Sequence, residues 1–352
     1  MSRLNRNDTI NLLSKLTLRR IWNGMRVLSS YYISKWFKKP VQWGYPISVS
    51  FEPTTSCNLR CPECPSGLRA FTRPTGMLQQ NFFKDTIDQL AKELWYLVFY
   101  FQGEPYLNPD FLDMVKYASS KKIYTATSTN AHYLNDANAK RTIESGLDRL
   151  IISIDGTTQE VYEQYRVGGN LNKVLEGTKN IVKWKKEMKS KTPFIVFQFL
   201  VVKPNEHQID EVKKLANDIG VDDVWFKTAQ IYDFENDPNQ LIPSIDKFSR
   251  YRKTNKARPD GSVGRGYEFK GKLANHCWRL WHDPVITWDG LVAPCCFDKD
   301  AQHKLGDLKT KSFKEIWNNG EYKKFRTALL SGRKNIDICS NCSEGTKVWE
   351  QS

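Results

Sequence analysis

Three thiols stand within one short stretch, Cys57-Asn-Leu-Arg-Cys61-Pro-Glu-Cys64, with gaps of three and then two residues between them. Thiolates hold iron-sulfur cubanes, ordinarily one per iron, so three of them leave a fourth iron with an open coordination position. A small molecule can take that position. A structural zinc ion is a poorer match, because it closes its shell with four protein ligands and no fourth lies nearby. A second group comprises Cys277, Cys295, Cys296, Cys339 and Cys342, of which Cys339 and Cys342 form a pair with a two-residue gap. Four thiolates close a cubane completely; a four-cysteine zinc site is the other reading of the same set. Neighbouring strand residues point to opposite faces, so Cys295 and Cys296 do not easily reach one cluster together. Clustering of this kind suits metal ligation in a reducing compartment better than a disulfide framework.

The elements that must position these thiols are legible as alternating β-rich runs and amphipathic segments from residue 47 onward, the rhythm of parallel strands joined by crossover helices. Six strands are expected, at 47–52, 96–101, 123–129, 149–155, 194–202 and 223–228, with helices over 81–94, 110–120, 136–145, 171–190 and 206–219. The fold class is therefore α/β, a partial (β/α)6 TIM-like barrel over 47–231. Residues 232–272 break the rhythm with Pro238, Pro243, Pro259 and the turn-rich stretch from Asp260 to Gly266, and are expected to be a linker. Residues 273–352 then form a small C-terminal unit of a β-hairpin and a helix. Its hairpin turns at Asp289-Gly290, read as a two-residue turn. Ser312 and Glu315 have capping-box spacing, and Ile316, Trp317 and Phe325 supply the buried face of the helix that follows.

The cysteine loop behind a first strand resembles the signature of the radical S-adenosylmethionine (SAM) superfamily, and the resemblance covers residues 47–345. Glu63 departs from it, standing where many members place an aromatic residue beside the adenine of SAM. Gln102-Gly103-Glu104-Pro105, after the second strand, resembles the family's glycine-glutamate motif, which implies that Gly103 lets the backbone approach SAM and Glu104 accepts from its amino group. Thr129-Asn130, Ser153 and Asp155 resemble family positions near the ribose and carboxylate, and Arg166 resembles an arginine that pairs with the carboxylate. Cys295 follows the hairpin glycine Gly290 by five positions, as in SPASM auxiliary-cluster domains. That resemblance selects Cys277, Cys295, Cys339 and Cys342 as the second ligand set and leaves Cys296 as a packed or outer-sphere thiol. Full SPASM domains carry two auxiliary clusters and more cysteines, so the single-cluster twitch version fits better, as in the radical SAM dehydrogenase of 2-deoxy-scyllo-inosamine.

The resemblance implies SAM and two 4Fe-4S clusters as cofactors, reductive cleavage of SAM to a 5′-deoxyadenosyl radical, and a flavodoxin- or ferredoxin-type electron donor. An auxiliary cluster that accepts the substrate's second electron makes a two-electron oxidation of a small molecule, glycan or lipid headgroup the leading expectation. A peptide-modifying maturase is the alternative, disfavoured because residues 1–46 are too few for a winged-helix peptide-recognition module; a non-catalytic iron-sulfur or zinc scaffold is the alternative of another class. Inward positions such as Glu52, Gln198 and Lys227 offer candidate bases that the sequence does not rank.

The formal charge of +14 is unevenly spread, with nine basic residues and one acid, Asp8, before residue 48. Within this leader Ile21, Met25, Leu28, Tyr32 and Trp36 recur at helical spacing. Two readings follow: peripheral contact of residues 10–40 with the inner face of a membrane, or packing of a helix across the barrel bottom. Nucleic-acid binding has no motif of its own here. No run of 18 apolar residues and no secretory signal is present, so the expected location is cytoplasmic.

Overall fold

The computed structural model describes residues 6–254 and 266–345. The strands β1 (Ser48–Phe51), β2 (Tyr96–Val98), β3 (Tyr124–Thr129), β4 (Arg149–Ser153), β5 (Phe194–Val201) and β6 (Asp223–Thr228) run parallel, each hydrogen-bonded to the next in chain order. They form the expected α/β partial barrel. The helices α1 (Arg6–Ser14) and α2 (Leu18–Phe37) precede the sheet. Between strands lie α3 (Pro65–Leu68), α4 (Gln80–Leu90), α5 (Phe111–Ser120), α6 (Asp136–Glu144), α7 (Gln159–Tyr165), α8 (Leu171–Glu187) and α9 (Ile209–Ile219). Buried side chains from both layers, among them Phe51, Phe83, Phe99, Phe111, Ile152 and Phe197, make one continuous core. Asn135 and Asn170 cap α6 and α8 by accepting from the backbone amides of Asn138 and Lys173. Gly220, at φ 91°, supplies the left-handed residue that ends α9.

The helix expected over 81–94 stops at Leu90. The carbonyls freed where α4 and α5 end are gathered by one buried guanidinium. Arg20 of α2 donates to Ala91 O at 2.8 Å, Lys121 O at 3.0 Å, Lys122 O, and Lys15 O at 2.7 Å. A cation at the carbonyl ends of two helices satisfies their orphan acceptors and complements their dipoles. The same contacts lock α2 across the barrel bottom, at the N-terminal ends of the strands. Gly24 of α2 lies so close to Trp95 that a Cβ there would collide with the indole. Lys15 pairs with Asp148, and Asp8 with Arg149 and Tyr124. Among the described residues, no helix is long and apolar enough to cross a membrane.

The C-terminal unit continues the barrel sheet. After α10 (Arg279–His282), β9 (Val285–Ile286) pairs in parallel with β1, then antiparallel with β10 (Leu291–Ala293), which pairs with β11 (Gly306–Asp307). The sheet order is β11-β10-β9-β1-β2-β3-β4-β5-β6. The hairpin turn has three residues rather than two. Thr287 N donates to Leu291 O at 2.9 Å, enclosing Trp288, Asp289 and Gly290, with Gly290 at φ 92° in the position that such a loop gives to glycine. The capping box forms as expected, with Ser312 N on Glu315 Oε2 and Glu315 N on Ser312 Oγ. The helix it starts is split into α11 (Phe313–Trp317) and α12 (Gly320–Gly332), because Asn319 makes a second N-cap to Tyr322 N. α13 (Asp337–Ser340) then carries Cys339. Within 232–272, β7 (Tyr251–Thr254) and β8 (Gly266–Phe269) pair antiparallel. Tyr251, Ile231, Leu241 and Ile242 pack with Leu59 and Cys61 in a second buried cluster over the cysteine loop. Pro259 and the turn-rich residues 260–265 lie outside the described residues.

Candidate functional site

The loop after β1 brings Cys57, Cys61 and Cys64 to the C-terminal end of the strands, the face where barrel enzymes assemble their sites. Backbone ties hold it there: Arg60 N donates to Val167 O at 2.9 Å, Glu104 N to Ser56 O at 2.8 Å, and Thr55 N to Gly76 O at 3.1 Å. Gly67 is required for this packing, since a Cβ would strike the Cys61 backbone. The three thiols are free and electrostatically linked, with burial pushing Cys57 up to about 12 and raising Cys61. Thiols that hold their protons this firmly become ligands when iron displaces the protons. Side chains already approach the sulfurs. Asn130 Nδ2 lies 3.9 Å from Cys57 Sγ, Arg166 Nη1 3.8 Å from Cys61 Sγ, and Cys64 Sγ 3.9 Å from Gln102 Oε1.

Beside the loop, Gly103 sits at φ 74°, and a Cβ there would collide with the Thr54 carbonyl oxygen. Only glycine fits that approach. Glu104 is buried, accepting from Thr129 Oγ1 at 2.7 Å, Asn130 N at 2.8 Å and Tyr106 N at 3.3 Å. Burial raises its carboxyl to about 7 in spite of those donors. The structure therefore groups Gly103, Glu104, Thr129, Asn130 and the loop. Ser153 lies one strand further, its hydroxyl 3.4 Å from Ser128 Oγ. Asp155 is already engaged, accepting from Leu200 N at 2.7 Å and pairing with Arg166 Nε. Its evident effect is to orient Arg166 toward Cys61. A cavity of about 350 Å³ is lined by Thr55, Ser56, Cys57, Ser66, Arg69, Phe71 and Thr75, and Ser66 Oγ and Ser56 O tie this lining to Gly103 N and Glu104 N.

In the C-terminal unit, Cys277, Cys295, Cys339 and Cys342 come from three separate segments and influence one another's charge. Burial pushes Cys339 to about 12 and Cys342 to about 11, and raises Cys277 and Cys295. Arg333 lies beside this group, anchored on Glu344 O at 2.9 Å. Cys296 packs with Phe101, Val285, Ala293 and Ala301 and feels Arg279, Asp283, Glu344 and Lys299, while its own charge bears on Cys295. A free three-thiol loop and a convergent four-thiol set are the donor sets of a cubane with one open iron and a cubane fully ligated. Among the described residues, no three His, Cys, Asp or Glu side chains close to the spacing of a single ion. A cubane spreads its ligands over four irons and needs a wider set than one ion does.

Two features escaped sequence reasoning. Glu52, a candidate base, is taken up by Arg73 at 2.8 and 2.5 Å and by Trp288 N at 3.2 Å, bracing the barrel against the C-terminal hairpin. Glu63 replaces an aromatic contact with a tether, accepting from Tyr232 N at 2.8 Å and from Asn239 at 3.5 Å. Neither has a local signal, because both partners are distant in sequence. The Lys227 ammonium is held below its usual range, chiefly by desolvation and then by Arg279.

Comparison with known proteins agrees with this architecture. Residues 51–219 match the radical SAM superfamily, and residues 277–343 match the SPASM iron-sulfur cluster-binding domain. The chain belongs to the radical SAM superfamily and carries a SPASM-type auxiliary domain; it is an enzyme of that class, using SAM and 4Fe-4S clusters. Among its relatives is the tungsten-containing aldehyde ferredoxin oxidoreductase cofactor-modifying protein of Pyrococcus furiosus, 26% identical over 83% of this chain and 86% of that one. Mycofactocin maturase MftC of Mycobacterium tuberculosis is 29% identical over 84% and 75%, and the PqqA peptide cyclase of Bradyrhizobium diazoefficiens 25% over 79% and 74%. The fold is similar to that of BtrN in complex with SAM and 2-DOIA, with TM-score 0.52, 17% identity, and coverage of 87% of this chain and 95% of that one.

Proposed function

We propose that this protein is a radical SAM maturase whose substrate is a peptide. The observation that carries the reading is that the relatives along most of the chain, which also include a heme synthase, number a mycofactocin maturase and a PqqA peptide cyclase among them. It favours this reading over the small-molecule oxidation that the sequence alone favoured. In this reading Cys57, Cys61 and Cys64 hold the radical-forming cluster, and Cys277, Cys295, Cys339 and Cys342 the auxiliary one. The cofactors supply, when bound, the one-electron chemistry that takes a hydrogen atom from the substrate. The chain's own groups bind and orient. Glu104 accepts from the SAM amino group, Gly103 admits the ligand to the backbone, and Thr129 and Asn130 hold Glu104 in place. Arg166, braced by Asp155, faces the SAM carboxylate, with Ser153 on the neighbouring strand. Lys227, whose ammonium is held below its usual range, is the candidate proton acceptor that remains when Glu52 is consumed by Arg73. A flavodoxin- or ferredoxin-type protein delivers the electron.

A second reading, oxidation of a small alcohol, is favoured by the four-thiol set, which is enough for one auxiliary cluster, and by the fold match over nearly all of BtrN. One experiment separates the two. The enzyme is co-expressed anaerobically with each short open reading frame beside its gene, and the peptides are analysed by mass spectrometry. Loss of two hydrogens or a new crosslink in one peptide is the expected outcome. Unmodified peptides, together with 5′-deoxyadenosine release on addition of aminocyclitol alcohols, would transfer the assignment to small-molecule oxidation.

A further inference from the structure

The inward face of α2 sets two core side chains, Val27 and Tyr31, among the buried small and polar residues Arg20, Asn23, Gly24, Ser30 and Ser34. The short polar side chains are satisfied: Asn23 bonds both Tyr45 O and Tyr45 N at 2.9 Å, Ser30 Oγ accepts from Trp43 N at 2.9 Å, and Ser34 Oγ from Val41 N at 2.8 Å. The orientation is thus set by specific hydrogen bonds, and rotating the helix would leave buried polar groups unpaired. Its outward face carries Ile21, Trp22, Met25, Leu28, Tyr32 and Trp36, with Trp22 61% and Trp36 69% exposed. An apolar stripe of this length on a monomer's surface marks an interaction site.

The charge around the stripe identifies its partner. Arg26, Lys35, Lys38 and Lys39 flank it, and the sequence has no acid between Asp8 and Glu52. Tryptophan and tyrosine interleaved with cations are the composition of a helix lying in the headgroup region of an anionic bilayer. We infer that α2 seats this protein on an anionic membrane surface, its axis in the plane of the interface. The placement is compatible with turnover. α2 crosses the N-terminal ends of the strands, whereas the cysteine loop and Glu104 lie at the C-terminal ends, so a docked molecule keeps its site facing the aqueous phase.

The test is co-sedimentation of the reconstituted full-length protein with vesicles of phosphatidylglycerol and phosphatidylcholine, against phosphatidylcholine alone, at low and high salt. Expected are binding to the anionic vesicles, weaker by about tenfold or more on neutral ones, and a similar loss in Trp22→Ser/Trp36→Ser and in Lys38→Glu/Lys39→Glu. All four side chains lie outside the cofactor site, so 5′-deoxyadenosine formation in solution stays unchanged. Absence of binding to anionic vesicles overturns the inference, as does binding that neither variant weakens. A dimer dissolved by Trp22→Ser/Trp36→Ser in protein that ignores vesicles would give the face to a second copy of the chain.

Discussion

The two thiol groups of this molecule are built in opposite ways. Cys57, Cys61 and Cys64 occupy one loop, so their grouping is a local property, with an apolar cluster on one side and the polar groups Glu104, Asn130 and Arg166 beside it. Cys277, Cys295, Cys339 and Cys342 lie on three segments that converge only after β9, β10 and α11 to α13 have packed. The first group is local and open, the second assembled and closed. Openness suits a site that must admit SAM, and closure suits a cluster that need only pass or hold an electron.

The comparison is broken most sharply by cysteine replacement. Cys57→Ala/Cys61→Ala/Cys64→Ala is expected to lower bound iron from about eight to about four per chain and to abolish 5′-deoxyadenosine formation. Cys339→Ala/Cys342→Ala should lose the other half of the iron while SAM cleavage survives and substrate turnover stops. Iron counting with a SAM cleavage assay reads both.

Next in size is the brace between the two halves. Arg73→Ala strands Glu52, whose side chain is fully buried, and should destabilise the protein by about 3–5 kcal/mol in denaturant titration. Both clusters should still form in the folded fraction.

The open site has a pH signature near neutrality through Glu104. Burial raises Glu104 from an ordinary 4.5 to about 7. Between those values the folded SAM-free protein holds a proton that the unfolded chain has released, so this group's contribution to stability falls as pH rises through the window. The SAM ammonium needs the ionised carboxylate, so SAM affinity should rise by up to about tenfold per pH unit until about pH 7 and then level off. Glu104→Gln should remove that slope in equilibrium binding.

Two smaller effects sharpen the picture. Lys227→Met should leave SAM cleavage intact and slow product formation by about 10²-fold or more, as expected for loss of a proton acceptor. Glu63→Gln keeps the tether's geometry without its charge and should change stability by about 1 kcal/mol or less, read by thermal denaturation.

Much of the barrel was legible in advance because β/α alternation is a local pattern. The six strands fall within a residue or three of their expected limits. Helix ends were less legible. α4 stops early beside carbonyls that an arginine seventy residues away collects, and Asn319 divides one expected helix into two. The leader shows the limit most plainly. Periodicity found the stripe from Ile21 to Trp36, yet a stripe reads the same whether it faces a core or a membrane. Its outward direction depends on Asn23, Ser30 and Ser34 finding partners at Tyr45, Trp43 and Val41. Of the expected SAM-contact residues, Gly103, Glu104, Thr129 and Asn130 gather beside the loop, while Asp155 turns out to be spent on Arg166 and Leu200.

What the sequence determined by itself is the chemistry set by covalent spacing: a three-thiol loop, a glycine and a glutamate behind a strand, and the parallel barrel that carries them. Tertiary structure alone decided that Glu52 is engaged as a brace and which side of α2 faces water. Spacing along a chain limits which groups can meet locally, but burial and hydrogen-bond satisfaction between distant segments choose among the arrangements that remain.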